Sequence, residues 1–330
     1  MQVYKSPTYA TPCGLTVTNA GQVSRVYYSP FPSFTFTPMG ATGPNGPTSL
    51  TGQPLPQGGL SLAGGIQYWT VPQTKTYTFV VAGAGNANAN SANAVKAGNG
   101  VVLTATRTLT QGTVVAILVG QMGLIGTSDN RATGGSGGTF VATVTAAGSL
   151  TGAVLLFAAG GSGGVGYEAS GSSNTTLNGT SATTGQQGTP VGSGAIYGGV
   201  GGIGPNGGGT AGIQVNNYQA ADGGGGYSGD GAVAAAGSST LAGKSFLNGG
   251  TGGTNGNAIA YGGFGGGGAG GYTIASNPYP GGGGGGGYGG GGGGSTDVLG
   301  AGGGGGGSYD ITGAASVAIT NAGQGYVTVS

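Results

Sequence analysis

Histidine is missing from this 330-residue chain, and acidic and basic side chains make up only 4% of it, where about a quarter is usual. Without an imidazole no Ser-His-Asp triad can be assembled, and the commonest general base is gone. Cysteine occurs once, as Cys13, which excludes a disulfide within the chain and a cysteine metal site. Long apolar runs are missing too: the longest, at 114–119 and 153–159, are far too short to span a bilayer. The opening MQVYKSPTYATPCG has no apolar stretch of the signal-peptide kind, so no Sec-type leader is expected. No segment combines a helical apolar period with caps, so helix is not expected as a main element.

The few charges are scattered. Lys5, Arg25, Lys75, Lys96, Arg107, Arg131 and Lys244 form no stripe that would neutralise phosphates, so nucleic acid is not an expected partner. Asp129, Glu168, Asp222, Asp230, Asp297 and Asp310 give no carboxylate pair and no metal-ligand cluster in sequence. A net charge of +1 leaves little self-repulsion, which suits a surface that packs against other structural proteins or copies of itself.

Motifs that resemble chemistry are present but incomplete. Ser136 and Ser162 each sit in a G-x-S-x-G pattern, but glycine-rich sequence produces such matches by chance. Gly243-Lys244-Ser245 ends like a phosphate-binding loop, yet Ser238 stands where that loop needs its first glycine. Asn174 and Asn178 open glycosylation sequons that read as surface-loop residues. No catalytic residue, cofactor or metal is expected, and no enzymatic activity.

What is present in abundance is glycine, 88 residues of it, and it divides the chain. Residues 1–32 form an arm interrupted by Pro7, Pro12 and Pro30, read either as a weakly ordered terminus or as a docking arm for a neighbouring subunit. Residues 33–160 read as β. Strands are expected at 34–37, 76–81, 101–107, 113–119, 139–144 and 154–157, separated by turn residues as in a sandwich or barrel. Trp69 is expected as a core anchor. Residues 161–312 are dominated by glycine, with runs at 223–226, 265–268, 281–287, 289–294 and 302–307, and residues 313–330 close with strands at 316–320 and 325–329.

Glycine loses the most backbone freedom on folding, and ordering a residue costs about 1–2 kcal/mol. A flexible linker is therefore the simplest reading of the runs. The ordered alternative satisfies the backbone itself. Extended helices with three residues per turn make no internal hydrogen bonds, and without Cβ atoms they can lie side by side and bond to one another. Matched run lengths and the tyrosines that bracket several runs, Tyr227, Tyr272, Tyr279, Tyr288 and Tyr309, favour the ordered reading.

Several segments together carry a resemblance. They are FTF at 34–36, GATGPNGPT at 40–48, GIQYWTVPQTKTYTFVVAGAG at 65–85, ILVGQMG at 117–123 and GGSGGTFV at 134–141. LLFAAGGSGG at 155–164, GKSFLNGGTGG at 243–253, GGFGGGG at 262–268, GGGGGGSY at 302–309 and NAGQGYVTVS at 321–330 complete the set. This order resembles the glycine-rich-domain family of anaplastic-lymphoma-kinase-type receptors, and more closely its stand-alone versions in large DNA viruses and some microbes. The resemblance implies a tumour-necrosis-factor-like jelly roll with a hexagonally packed bundle of polyglycine helices, and a non-enzymatic role. Lys75 departs from the family pattern, which has glycine at that turn.

The expectation is an all-β, jelly-roll-like β-sandwich with a large insert of packed polyglycine II helices. It is expected to act as a structural virion component: a minor capsid, cementing or surface protein, homo-oligomeric and, by resemblance, trimeric. Its structural residues are Gly281, Gly284, Gly287, Gly291, Gly294, Gly302, Gly305 and Trp69. The alternative is an adhesin or receptor-binding module at a particle or cell surface, displaying Tyr261, Tyr272, Tyr279 and Tyr288 on loops toward a glycan or receptor.

Overall fold

The computed structural model describes residues 16–19, 22–25, 32–51, 54–86, 98–126, 132–167, 178–190, 198–212, 220–234, 239–255, 260–271, 280–295 and 300–330. Its strands are β1 (Thr16–Asn19), β2 (Gln22–Arg25), β3 (Phe34–Phe36), β4 (Leu60–Ala63), β5 (Ile66–Thr70), β6 (Lys75–Ala82), β7 (Gly100–Leu109) and β8 (Val114–Leu118). They continue with β9 (Thr139–Val144), β10 (Val154–Ala159), β11 (Ser239–Leu241), β12 (Thr254–Asn255), β13 (Tyr309–Asp310), β14 (Ser316–Asn321) and β15 (Tyr326–Val329). The chain is an all-β sandwich of two antiparallel sheets, one in the order β13-β10-β9-β8-β5-β4 and the other β14-β7-β6-β15-β3.

Patterning explains which sheet faces what. In β6, KTYTFVVA, the residues Tyr77, Phe79 and Val81 are fully buried while Thr76, Thr78 and Val80 point outward. This alternation marks a sheet with one face in the core and one toward solvent. The strands of the other sheet read differently. β8 (VVAIL), β9 (TFVATV) and β10 (VLLFAA) are buried almost throughout, as in a sheet covered on both faces.

Two hydrophobic layers result. Between the sheets lie Phe36, Trp69, Tyr77, Phe79, Val115, Ile117, Phe157 and Val327 among others, each contributing about 1.5–3 kcal/mol by burial. Trp69 sits fully buried in this layer and donates its indole N–H to the Gln57 carbonyl at 2.8 Å. Lys75 opens β6 and lays its ammonium 4.7 Å from the Tyr77 ring centre. The second layer, on the far face of the six-stranded sheet, joins Ile66, Tyr68, Leu118, Phe140 and Leu155 to Phe246, Phe264 and Tyr288 of the glycine-rich region. That region is therefore packed on the sandwich as a third layer.

Candidate functional site

The glycine-rich layer is organised around the segment 280–288. Its amides donate in a repeating order of three: Gly282, Gly285 and Tyr288 to Ala301, Gly304 and Gly307; Gly283 and Gly286 to Thr133 and Ser136; Gly284 and Gly287 to Asp222 and Gly225. Its carbonyls accept in the same order: Gly281 and Gly284 from Gly271 and Gly268, Gly282 and Gly285 from Gly294 and Gly291, Gly283 and Gly286 from Gly164 and Gly161. The partner numbers rise along the three segments that accept and fall along the three that donate. Segment 280–288 is thus enclosed by three parallel and three antiparallel neighbours, and all of it is buried.

The same spacing recurs away from the centre. Thr133 and Ser136 donate to Val165 and Ser162, Gly134 and Gly137 to Leu124 and Gln121, and Gly135 and Gly138 to Gly268 and Gly265. The glycine segments are not confined to 161–312. Residues 83–86, 119–126 and 160–167 run directly out of β6, β8 and β10, and 132–138 runs directly into β9. The strands of the sandwich thereby fix one end of each of these four segments.

Close approach is what makes glycine obligatory. A Cβ placed on any residue of 281–287 would fall within 3.0 Å of a carbonyl oxygen in a neighbouring rod. The same holds for Gly291, Gly294 and Gly305. Gly302 is buried in the adjoining rod, 300–307.

A stacked aromatic seam joins this lattice to the sheet. Phe140 of β9 lies 5.1 Å from Phe246, Phe246 lies 5.7 Å from Tyr227, Tyr227 lies 6.4 Å from Tyr288, and Tyr288 lies 4.4 Å from Tyr309. Phe246 is positioned by a short 3-10 turn, Phe246–Asn248, in which the Ser245 hydroxyl accepts the Asn248 amide. Tyr288 is 8% exposed and stacked, so it is not the displayed loop-tip aromatic that an adhesin reading needs. It ends its rod at the sheet, where apolar burial rewards it more than solvent would. Tyr261 is half-buried, while Tyr272 and Tyr279 lie outside the described residues. Burial raises the Tyr227 and Tyr288 hydroxyls above their ordinary value, with the neighbouring tyrosines adding to it.

The motif serines belong to the lattice. Ser136 and Ser162 are both fully buried; Ser136 Oγ donates to the Gly85 carbonyl at 2.9 Å, and Ser162 Oγ donates to Ser136 Oγ at 3.4 Å. Among the described residues two ion pairs stand at the margins. Arg107 of β7 meets Asp310 of β13 and lies 4.6 Å from the Phe157 ring centre, so this pair bridges the two sheets. Asp310 also accepts the amides of Ala314 and Ala315 at 2.8 and 2.9 Å. Burial lowers the Arg107 guanidinium from its usual value.

In the second pair, Lys244 donates to Asp230 at 2.8 Å, and the Ser245 amide and Asn248 side chain donate to the same carboxylate at 2.8 and 2.9 Å. Burial pushes the Asp230 carboxyl up, but these three donors and the Lys244 charge outweigh it and hold the group at about 2, against 3.8 ordinarily. A depressed carboxylate stabilises the fold above its ordinary value and loses that contribution as pH falls through the folded one. Acid titration of thermal stability is expected to show a loss between about pH 4 and about pH 2 that Asp230→Asn removes. An unchanged acid limb in that variant would show that the contact contributes nothing.

Open clefts also lie among the described residues. One, of about 550 Å³, is lined by Asn45, Pro47, Leu62, Thr251 and Phe264 and contains no charged group. Another, of about 270 Å³, lies beside Leu103, Tyr309 and Val317. Among the described residues no three metal-ligating side chains stand together, and no helix is long and apolar enough to cross a membrane. No protein-family model matches this chain, and no curated protein matches it either.

Proposed function

We propose that this chain is a non-enzymatic structural protein, a virion component of the minor capsid, cementing or surface kind, whose glycine segments form a rigid bundle of polyglycine II helices. The observation that carries the reading is the three-residue period with which 280–288 exchanges backbone hydrogen bonds with six surrounding segments. Three residues per turn without internal hydrogen bonds is the geometry of an extended polyglycine or polyproline helix. No residue of 281–287 has a φ in the left-handed region, which agrees with that geometry. Such a bundle offers shape and stiffness but hardly any reactive side chain, which suits packing against neighbours. The resemblance to stand-alone glycine-rich domains of large DNA viruses supports the virion setting, and copies of the chain are the first partners to seek.

Light scattering on the purified chain, beside proteomics of purified particles from its source, tests this. A stable oligomer present stoichiometrically in particles is the expected result. A monomer that is absent from particles yet retained on cells or glycans would overturn it in favour of the adhesin.

A further inference from the structure

The sandwich is closed unevenly. Its five-stranded sheet ends on β3 at one side and β14 at the other. β3 has three residues and lies between Pro32 and Pro38, which keeps an edge from templating further pairing. β14, SVAITN, is twice as long, carries neither charge nor proline, and is exposed at five of its six residues. It pairs with β7 through Ser316, Val317, Ala318 and Ile319 opposite Thr104, Leu103, Val102 and Val101, before a register shift. No backbone hydrogen bond from any other described residue reaches it. A long, uncharged, unpaired edge is a template for another strand.

The side chains at this edge are unfinished in the same way. Val317 and Ile319 oppose Leu103 and Val101, which are buried in the layer between the sheets, so they lie on the core-facing side. They nevertheless remain 39% and 40% exposed. The facing sheet ends there on the two-residue β13, and the 270 Å³ cleft lined by Leu103, Val317, Ala315 and Tyr309 opens between the two.

A donor exists in the same sequence. β1 and β2 form a four-pair antiparallel hairpin, Thr16 opposite Arg25 to Asn19 opposite Gln22, and they pair with neither sheet. A two-stranded hairpin is marginal in water by itself and gains most by joining a sheet. Each of its strands has four residues, the length of the regular part of β14, and each contains one valine. Lys5 and Arg25 make residues 1–32 cationic with no carboxylate, while the rest of the chain has five cations against six carboxylates. The hairpin precedes β3, so it leaves from the opposite end of the sheet, about 19 Å from β14 at the usual strand spacing. Within the single chain it forms no ladder with that edge.

From this we infer that β14 is an acceptor edge that takes the N-terminal hairpin, residues 16–25, of a second copy of this chain as added strands. The added strand completes the ladder along Ser316–Ile319 and covers Val317, Ile319 and the adjoining cleft. The inference extends the structural role by naming the surface and the partner, and it rests on that role only in expecting copies to assemble.

Cys13 is the only native cysteine, so Ser316→Cys in the full chain adds a single second thiol, and peptide mapping of the linked species tells a Cys13-to-316 link from a link between like positions. Cross-linking with a short bismaleimide is expected to give a covalent species of two or more chains. Full chains carrying Val317→Lys, which puts a charge into the edge, or Val23→Pro, which breaks the hairpin, are expected to assemble at least about tenfold more weakly by light scattering. Their melting temperatures should match the parent, which separates lost docking from lost folding. A link formed only within one chain would mean that the arm closes its own edge, and would overturn the inference. So would no link, or assembly indifferent to both substitutions. In that last case a chain still found stoichiometrically in particles keeps its structural role and uses another surface.

Discussion

Gly284→Val is expected to cost the folded protein more than about 4 kcal/mol, enough to abolish a cooperative melt in a chain of ordinary stability. Overpacking a side-chain core costs about 1–3 kcal/mol because neighbouring rotamers can yield. Here the atoms that a Cβ meets within 3.0 Å are the carbonyl oxygen and carbon of Gly291, with the Gly224 amide also there, and all are main chain. The Gly284 amide and carbonyl are bonded to Asp222 and Gly268, so moving the rod to relieve one clash breaks bonds to other neighbours. Gly185→Ala is the control. Its nearest obstacle is the Thr183 hydroxyl at 3.6 Å, and its effect should stay within about 0.5 kcal/mol. Denaturant titration of the two variants decides the matter: if Gly284→Val stays within about 1 kcal/mol of the parent, the packed-rod account is wrong.

Arg107→Ala is the second large effect, about 3–5 kcal/mol, because it leaves the Asp310 carboxylate buried without its cation. The side chains of the pair are 12% and 5% exposed, so little solvent is available to replace the lost partner. The guanidinium also covers the Phe157 ring, and Asp310 holds the 311–315 turn by its amides. Arg107→Ala combined with Asp310→Ala should cost less than the two single changes added together, by a coupling of about 1–3 kcal/mol. Strict additivity in a thermal or denaturant double-mutant cycle would mean that the sheets are not tied together at this point.

Strand content was readable where alternation or a run of β-branched residues is written into the chain. β6, β7, β9 and β14 were expected within a residue or two because alternation or β-branched runs mark them. β5, IQYWT, escaped as a strand because four of its five residues are buried and it has no polar face. β4 escaped because Leu60–Ala63 is short and sits between glycine pairs that read as loop. The glycine runs announced unusual packing by length and spacing, but glycine carries no side-chain signal for which run neighbours which. Order within the lattice follows from the strand ends that anchor 119–126, 132–138 and 160–167, and those are tertiary facts. Display of Tyr288 at a tip, as the adhesin alternative had it, stayed open for the same reason: sequence shows that a rod ends there, not that the end meets the sheet.

The lattice around 280–288 also sets how stability should vary with temperature. Unfolding a conventional domain exposes apolar surface, and that exposure raises the heat capacity; exposing peptide groups lowers it. The rods bury main-chain amides and almost no hydrocarbon. Their contribution to the heat-capacity change of unfolding is therefore small or of opposite sign to that of the sandwich core. The free-energy curve of the whole chain is flattened accordingly, and the protein keeps its stability over a wider span of temperature, cold included, than a side-chain core of equal size would allow.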